Sequence, residues 1–78
     1  MTLIQILGSG CKKCEVLAAN ASQAADELGI EYRIEKITDP ATIAEFGIML
    51  TPGLAVDGEL RSFGRVLSAA KIRPLLQV

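Results

Sequence analysis

The stretch Leu3-Ile4-Gln5-Ile6-Leu7-Gly8-Ser9-Gly10-Cys11-Lys12-Lys13-Cys14 runs from an aliphatic segment, through a glycine-flanked turn, into two cysteines separated by two lysines. The nearly continuous apolar run from Leu3 to Leu7 suits a short strand buried on both faces. Gly8-Ser9-Gly10 breaks that pattern and predicts a flexible turn into Cys11. Beyond it, Leu17, Ala21, Ala24 and Leu28 recur at helical spacing among good helix formers, which predicts a helix from Lys12 to Leu28 with Gly29 as its left-handed cap. The cysteines therefore fall at a strand-to-helix junction.

Glu31 to Ile37 alternates, with Tyr32, Ile34 and Lys36 on one face and Glu31, Arg33 and Glu35 on the other, as a second strand would. Strand, helix and strand in this order form a right-handed βαβ crossover, so the two strands are expected to be parallel. Asp39-Pro40 reads as an N-cap followed by the first helical residue, and Gly47 as the stop of that short helix. Asp57-Gly58, between Leu54–Val56 and Leu60–Ser62, is a strong two-residue hairpin signal. Ser68 can cap a last helix through Ile72 to Leu76, with Pro74 expected to kink or shorten it. The order is β-α-β-α-β-β-α, an α/β fold with no repeat or linker.

The 78 residues are read as one domain, 1-78. Half of them are apolar, almost all aliphatic, which supports a packed core and argues against disorder. Net charge is −1 with the signs interspersed, so there is no basic stripe for nucleic acid and no polybasic tail for a membrane. No run is long enough to span a bilayer, and the start lacks the pattern of a secretory signal, so a cytoplasmic location is expected. A bridge between Cys11 and Cys14 closes too short a loop to constrain the unfolded chain much. Its value is expected to be chemical.

At this spacing the two sulfurs can approach without backbone movement, so the pair can open and close reversibly. Cys11 is expected at or just before the first helical turn, where unpaired N–H groups and the helix dipole favour an anion. Lys12 and Lys13 add positive charge. Together these lower the Cys11 thiol from the ordinary value of about 8.5 and make it the nucleophile, while Cys14, one turn deeper, stays protonated as the resolving thiol. Three other readings stand beside this one. The cysteines could be ordinary buried residues. They could be soft-metal or metalloid ligands: structural zinc needs four ligands, and the chain has no His, but Cu(I) or arsenite needs only two thiolates. Small heavy-metal-binding domains also carry Cys-x-x-Cys after a first strand. Those domains resemble βαββαβ with Met two places before the first Cys, where this chain has Ser9 and ends in a predicted helix. The chain could also be an interaction module whose cysteine pair is incidental.

Met49-Leu50-Thr51-Pro52-Gly53 precedes the hairpin, and Pro52 must sit at a strand start or on an edge. Taken together, Gly10-Cys11-Lys12-Lys13-Cys14, Phe46-Gly47-Ile48, Thr51-Pro52, Val56-Asp57-Gly58 and Gly64-Arg65-Val66 resemble, in order and spacing, the small redox-active-disulfide proteins of the thioredoxin/glutaredoxin superfamily. The resemblance covers nearly the whole chain. It implies a minimal glutaredoxin-type thioredoxin-like fold, a four-stranded mixed sheet flanked by three helices. It also implies a cis peptide bond at Pro52 against the Cys11 sulfur, with the backbone before it offering strand-like hydrogen bonds to a substrate. Cys11 and Cys14 would be catalytic, and Lys12, Lys13, Met49, Leu50, Thr51 and Pro52 would meet the substrate, with Ile48, Met49 and Leu50 as candidates for an apolar rim. No metal and no cofactor beyond the disulfide itself is implied. The implied partners of a monomer are a disulfide-bearing protein and a reductase or dithiol donor. Two departures matter: Gln5 stands where larger thioredoxins carry a buried acid, and Phe63-Gly64-Arg65-Val66 lacks the carboxylate with which glutaredoxins hold glutathione.

Overall fold

The computed structural model describes residues 1–8, 12–48 and 50–76; Ser9, Gly10, Cys11, Met49, Gln77 and Val78 lie outside the described residues. In chain order the elements are β1 (Thr2–Leu7), α1 (Lys12–Leu28), β2 (Tyr32–Ile37), α2 (Pro40–Glu45), β3 (Gly53–Val56), β4 (Glu59–Phe63) and α3 (Ala69–Leu76). The strands form a mixed sheet in the order β2-β1-β3-β4. β1 and β2 are parallel, Thr2 facing Tyr32 through Leu7 facing Ile37, and the other pairs are antiparallel. This is the α/β architecture expected from the sequence, with strand ends displaced by a residue or so where side-chain alternation stops before backbone pairing does.

Alternation along the strands decides which side of the sheet is thick. Ile4 and Ile6 of β1 and Leu54 and Val56 of β3 point to the face covered by α1 and α3, where they meet Leu17, Ala21, Ala24, Ala25 and Ile72 in one cluster. The small side chains along α1 let that helix lie close to its neighbours. Full burial of an aliphatic side chain such as Ile4, Leu17 or Ile72 contributes about 1.5–3 kcal/mol. The opposite face carries Leu7, which with Ile48, after α2, closes the space over Gly53, and α2 itself buries no residue.

Side-chain hydrogen bonds fasten the layers. Tyr32 donates its phenol to Asp26 at 3.0 Å, so the 2.6 Å contact with Ser22 is donated by the serine hydroxyl, and both tie β2 to α1. Asn20 donates to the Leu67 carbonyl at 2.9 Å, fixing the segment before α3. Glu27 of α1 receives Gln23 and Arg73 of α3, and these two partners hold its carboxyl below the usual carboxylate range. In the hairpin, Asp57 and Gly58 adopt φ values of 51° and 85°, the positive pair that a two-residue turn between twisted strands needs. Asp57 also accepts the Leu3 N–H on its carboxylate at 2.9 Å and donates its own N–H to the Leu3 carbonyl at 2.8 Å, so the turn is anchored on β1.

Two helix ends match the sequence expectation. α3 runs to Leu76 with Pro74 inside it: the N–H that proline lacks would have bonded the carbonyl of Ala70, an exposed residue whose carbonyl water can serve. Asp39 does occupy the N-cap position before Pro40, yet its carboxylate makes no bond to the helix backbone, because the Thr42 hydroxyl takes it at 2.9 Å.

Candidate active site

β1 ends at Leu7, and the N–H of the next residue, Gly8, still donates to the Ile37 carbonyl at 2.9 Å. Gly8 therefore continues the strand's alternation and shares the face of Ile4 and Ile6. α1 starts at Lys12 and turns Cys14 inward on the same stripe as Leu17, Ala18 and Ala21, leaving it 5 % exposed. The two meet: a Cβ built on Gly8 would lie 2.2 Å from the Cys14 sulfur and 3.7 Å from the Thr51 Cβ. Only a glycine gives the sulfur this place. The sequence reading took Gly8 as a turn former and missed this role, although the period of two through Ile4, Ile6 and Gly8 carries the signal.

From the other side of the molecule comes the α2-to-β3 segment. The Thr51–Pro52 peptide bond is cis; Thr51 is exposed and Pro52 is fully buried. The Pro52 carbonyl accepts the Gly64 N–H at 2.9 Å, which pins the segment to the end of β4. Of the three apolar residues before Thr51, Ile48 is buried over Gly53, and Leu50 is 63 % exposed above Gly64. Met49 lies outside the described residues, as does Cys11, the residue preceding α1 in the sequence. Lys12 and Lys13 are both exposed and make no ion pair among the described residues. The fold thus brings Gly8 and Cys14, from the β1-to-α1 junction, together with Thr51 from the distant segment before β3, with Leu50 on the outer surface nearby.

A cleft of about 40 Å³ reaches Cys14 between Gly8, Ile6, Glu15, Lys36 and Thr38. The residue standing where larger thioredoxins keep a buried acid is not part of it. Gln5 falls between Ile4 and Ile6 in β1, so it faces the other side of the sheet, where its amide donates to Glu35 at 3.3 Å. Among the described residues, the titratable side chains that line this cleft with Cys14 are those of Glu15 and Lys36. The sequence places Lys36 only on the second strand and gives no sign of its place in the cleft.

A family model described as thioredoxin domain matches residues 2–77. A thioredoxin of Methanothermobacter thermautotrophicus is 49 % identical over 76 residues, covering 97 % of this chain and 99 % of the relative. A thioredoxin of Methanocaldococcus jannaschii is 39 % identical over 77 residues, covering 99 % of this chain and 88 % of the relative.

Proposed function

The chain belongs to the thioredoxin-domain family, and on that premise we propose that Cys11 and Cys14 form its dithiol/disulfide centre and exchange electrons with disulfides of protein partners. The Cys11 thiolate attacks one sulfur of a substrate disulfide; a mixed disulfide forms and the first substrate thiolate leaves, taking a proton from solvent. Cys14 then loses its proton through the cleft beside Glu15 and Lys36, and its sulfur attacks that of Cys11. The Cys11–Cys14 disulfide forms and the second substrate thiolate leaves. Two electrons pass from the pair to the substrate. A reductase or a second dithiol protein returns them.

The observation that best supports this reading is the seating of the Cys14 sulfur against Gly8, directly beside Thr51. Thr51 and Pro52 offer an extended substrate segment its backbone contacts, Leu50 and Met49 an apolar rim, and Lys12 and Lys13 a positive field for the Cys11 thiolate. We read the chain as a single cytoplasmic domain, 1-78, acting as a monomer without a metal or added cofactor. Among the described residues no helix is long and apolar enough to cross a membrane.

Reduction of insulin tests the proposal. The protein, kept reduced by a small excess of dithiol, is expected to accelerate precipitation of the insulin chains well above the dithiol alone. Tight binding of Cu(I) or arsenite with no acceleration would replace the proposal with metal or metalloid carriage.

A further inference from the structure

The edge of the sheet beside this site carries a second feature. An open groove of about 660 Å³ runs between β4 and α3, starting at Leu50 next to Thr51 and passing Phe63 and Leu67. Three of the chain's eight basic residues, Arg61, Arg65 and Lys71, line it, and no acidic residue does, although acidic residues outnumber basic ones in the chain, nine to eight. Part of its apolar lining is open to solvent: Leu50 is 63 % and Phe63 51 % exposed, and Val66, in the adjoining loop, 38 %. Large exposed apolar side chains gathered in one place beside like charges mark a surface that meets a partner.

We infer that this groove docks an extended, acidic and partly apolar segment of the same protein whose disulfide reacts at the cysteine pair, an assignment that rests on the function proposed above. Continuity selects this occupant, since Leu50 belongs both to the groove and to the segment that carries Thr51 and Pro52. Charge selects its chemistry. Arg65 and Lys71 have no ion-pair partner among the described residues, and Arg61 meets only the largely exposed Glu59 at 3.1 Å, leaving further guanidinium donors for an incoming carboxylate. Carboxylates on the partner would speed encounter and set the direction in which its disulfide is presented.

Two synthetic peptides carrying the same disulfide, one flanked by acidic and apolar residues and the other by basic and apolar residues, test the inference together with uncharged hydroxyethyl disulfide. At low salt the parent protein is expected to reduce the acidic peptide with a kcat/KM about tenfold above that of the basic one, a preference that fades at high salt. The double variant Arg65→Glu/Lys71→Glu is expected to lose or reverse the preference while reducing hydroxyethyl disulfide as the parent does. A parent without the preference, or a variant that keeps it, overturns the docking assignment. A parent that reduces none of the three disulfides overturns the thiol-exchange reading and the docking assignment with it.

Discussion

Cys11→Ser is expected to abolish disulfide reduction, and Cys14→Ser to preserve the first transfer and accumulate the protein as a mixed disulfide with its substrate. Both outcomes follow from the division of labour proposed for the two sulfurs. On that assignment Cys11→Ser removes the attacking sulfur, and Cys14, 5 % exposed, is poorly placed to replace it, so the rate is expected to fall to that of the uncatalysed exchange. With Cys11 present and Cys14 replaced, attack proceeds once, but a serine hydroxyl does not displace the bound chain. Non-reducing electrophoresis and intact mass after mixing with a disulfide-bearing protein read the result: a covalent adduct for Cys14→Ser and none for Cys11→Ser. Equal activity of both variants and the parent would remove the cysteine pair from the chemistry.

Gly8→Ala is the second large effect, at a residue that takes no part in bond making. The added methyl would lie 2.2 Å from the Cys14 sulfur, far inside any permitted contact, and the sulfur is not the end of a long side chain that can swing away. Either α1 shifts outward or the sulfur leaves its place; overpacking of this kind costs about 1–3 kcal/mol. A displacement of about an ångström at a reacting atom is worth roughly a hundredfold in rate. The slowed step is resolution by Cys14, so mixed disulfide persists while its formation is little changed. Loss of stability alone would lower both steps together. The cause can be isolated by a double-mutant cycle, because the Cys14 Cβ lies 3.6 Å from the added carbon, an ordinary contact. In a Cys14→Ala background the methyl therefore costs much less, with a coupling of about 0.5–3 kcal/mol between the two positions. Additive destabilisation in denaturant titrations would mean that Gly8 does not seat the sulfur.

Most of the architecture was legible because local signals agreed with the global fold. The aliphatic run before Gly8, the helical spacing from Leu17 to Leu28 and the Asp57-Gly58 turn each specify one conformation, and the structure has all three. Pro74 does not stop α3 short of Leu76, since the cost of a proline depends on which carbonyl loses its donor, and Ala70 is exposed. The cysteine motif and Thr51-Pro52 could be picked out by spacing and resemblance. What sits beside them could not. Gly8 against the sulfur, Lys36 in the cleft and the gathering of Arg61, Arg65 and Lys71 along one groove depend on which strands and helices become neighbours. In the sequence those same basic residues follow Glu59 in a stretch with no acidic residue, a signal that the whole-chain charge of −1 hides. Gln5 shows the reverse: position in the chain pairs it with a proton acceptor of larger proteins, but the strand's alternation turns it away from Cys14.

Redox titration of the purified chain bears most directly on the exchange chemistry assigned to Cys11 and Cys14. The protein is equilibrated in glutathione or dithiol buffers of graded potential, quenched in acid and weighed by mass spectrometry. The expected result is one two-electron transition in which the chain loses two hydrogens and closes on itself, with a midpoint between about −120 and −270 mV. Independent glutathione adducts on the two cysteines, with no internally bridged species at any potential, would contradict it.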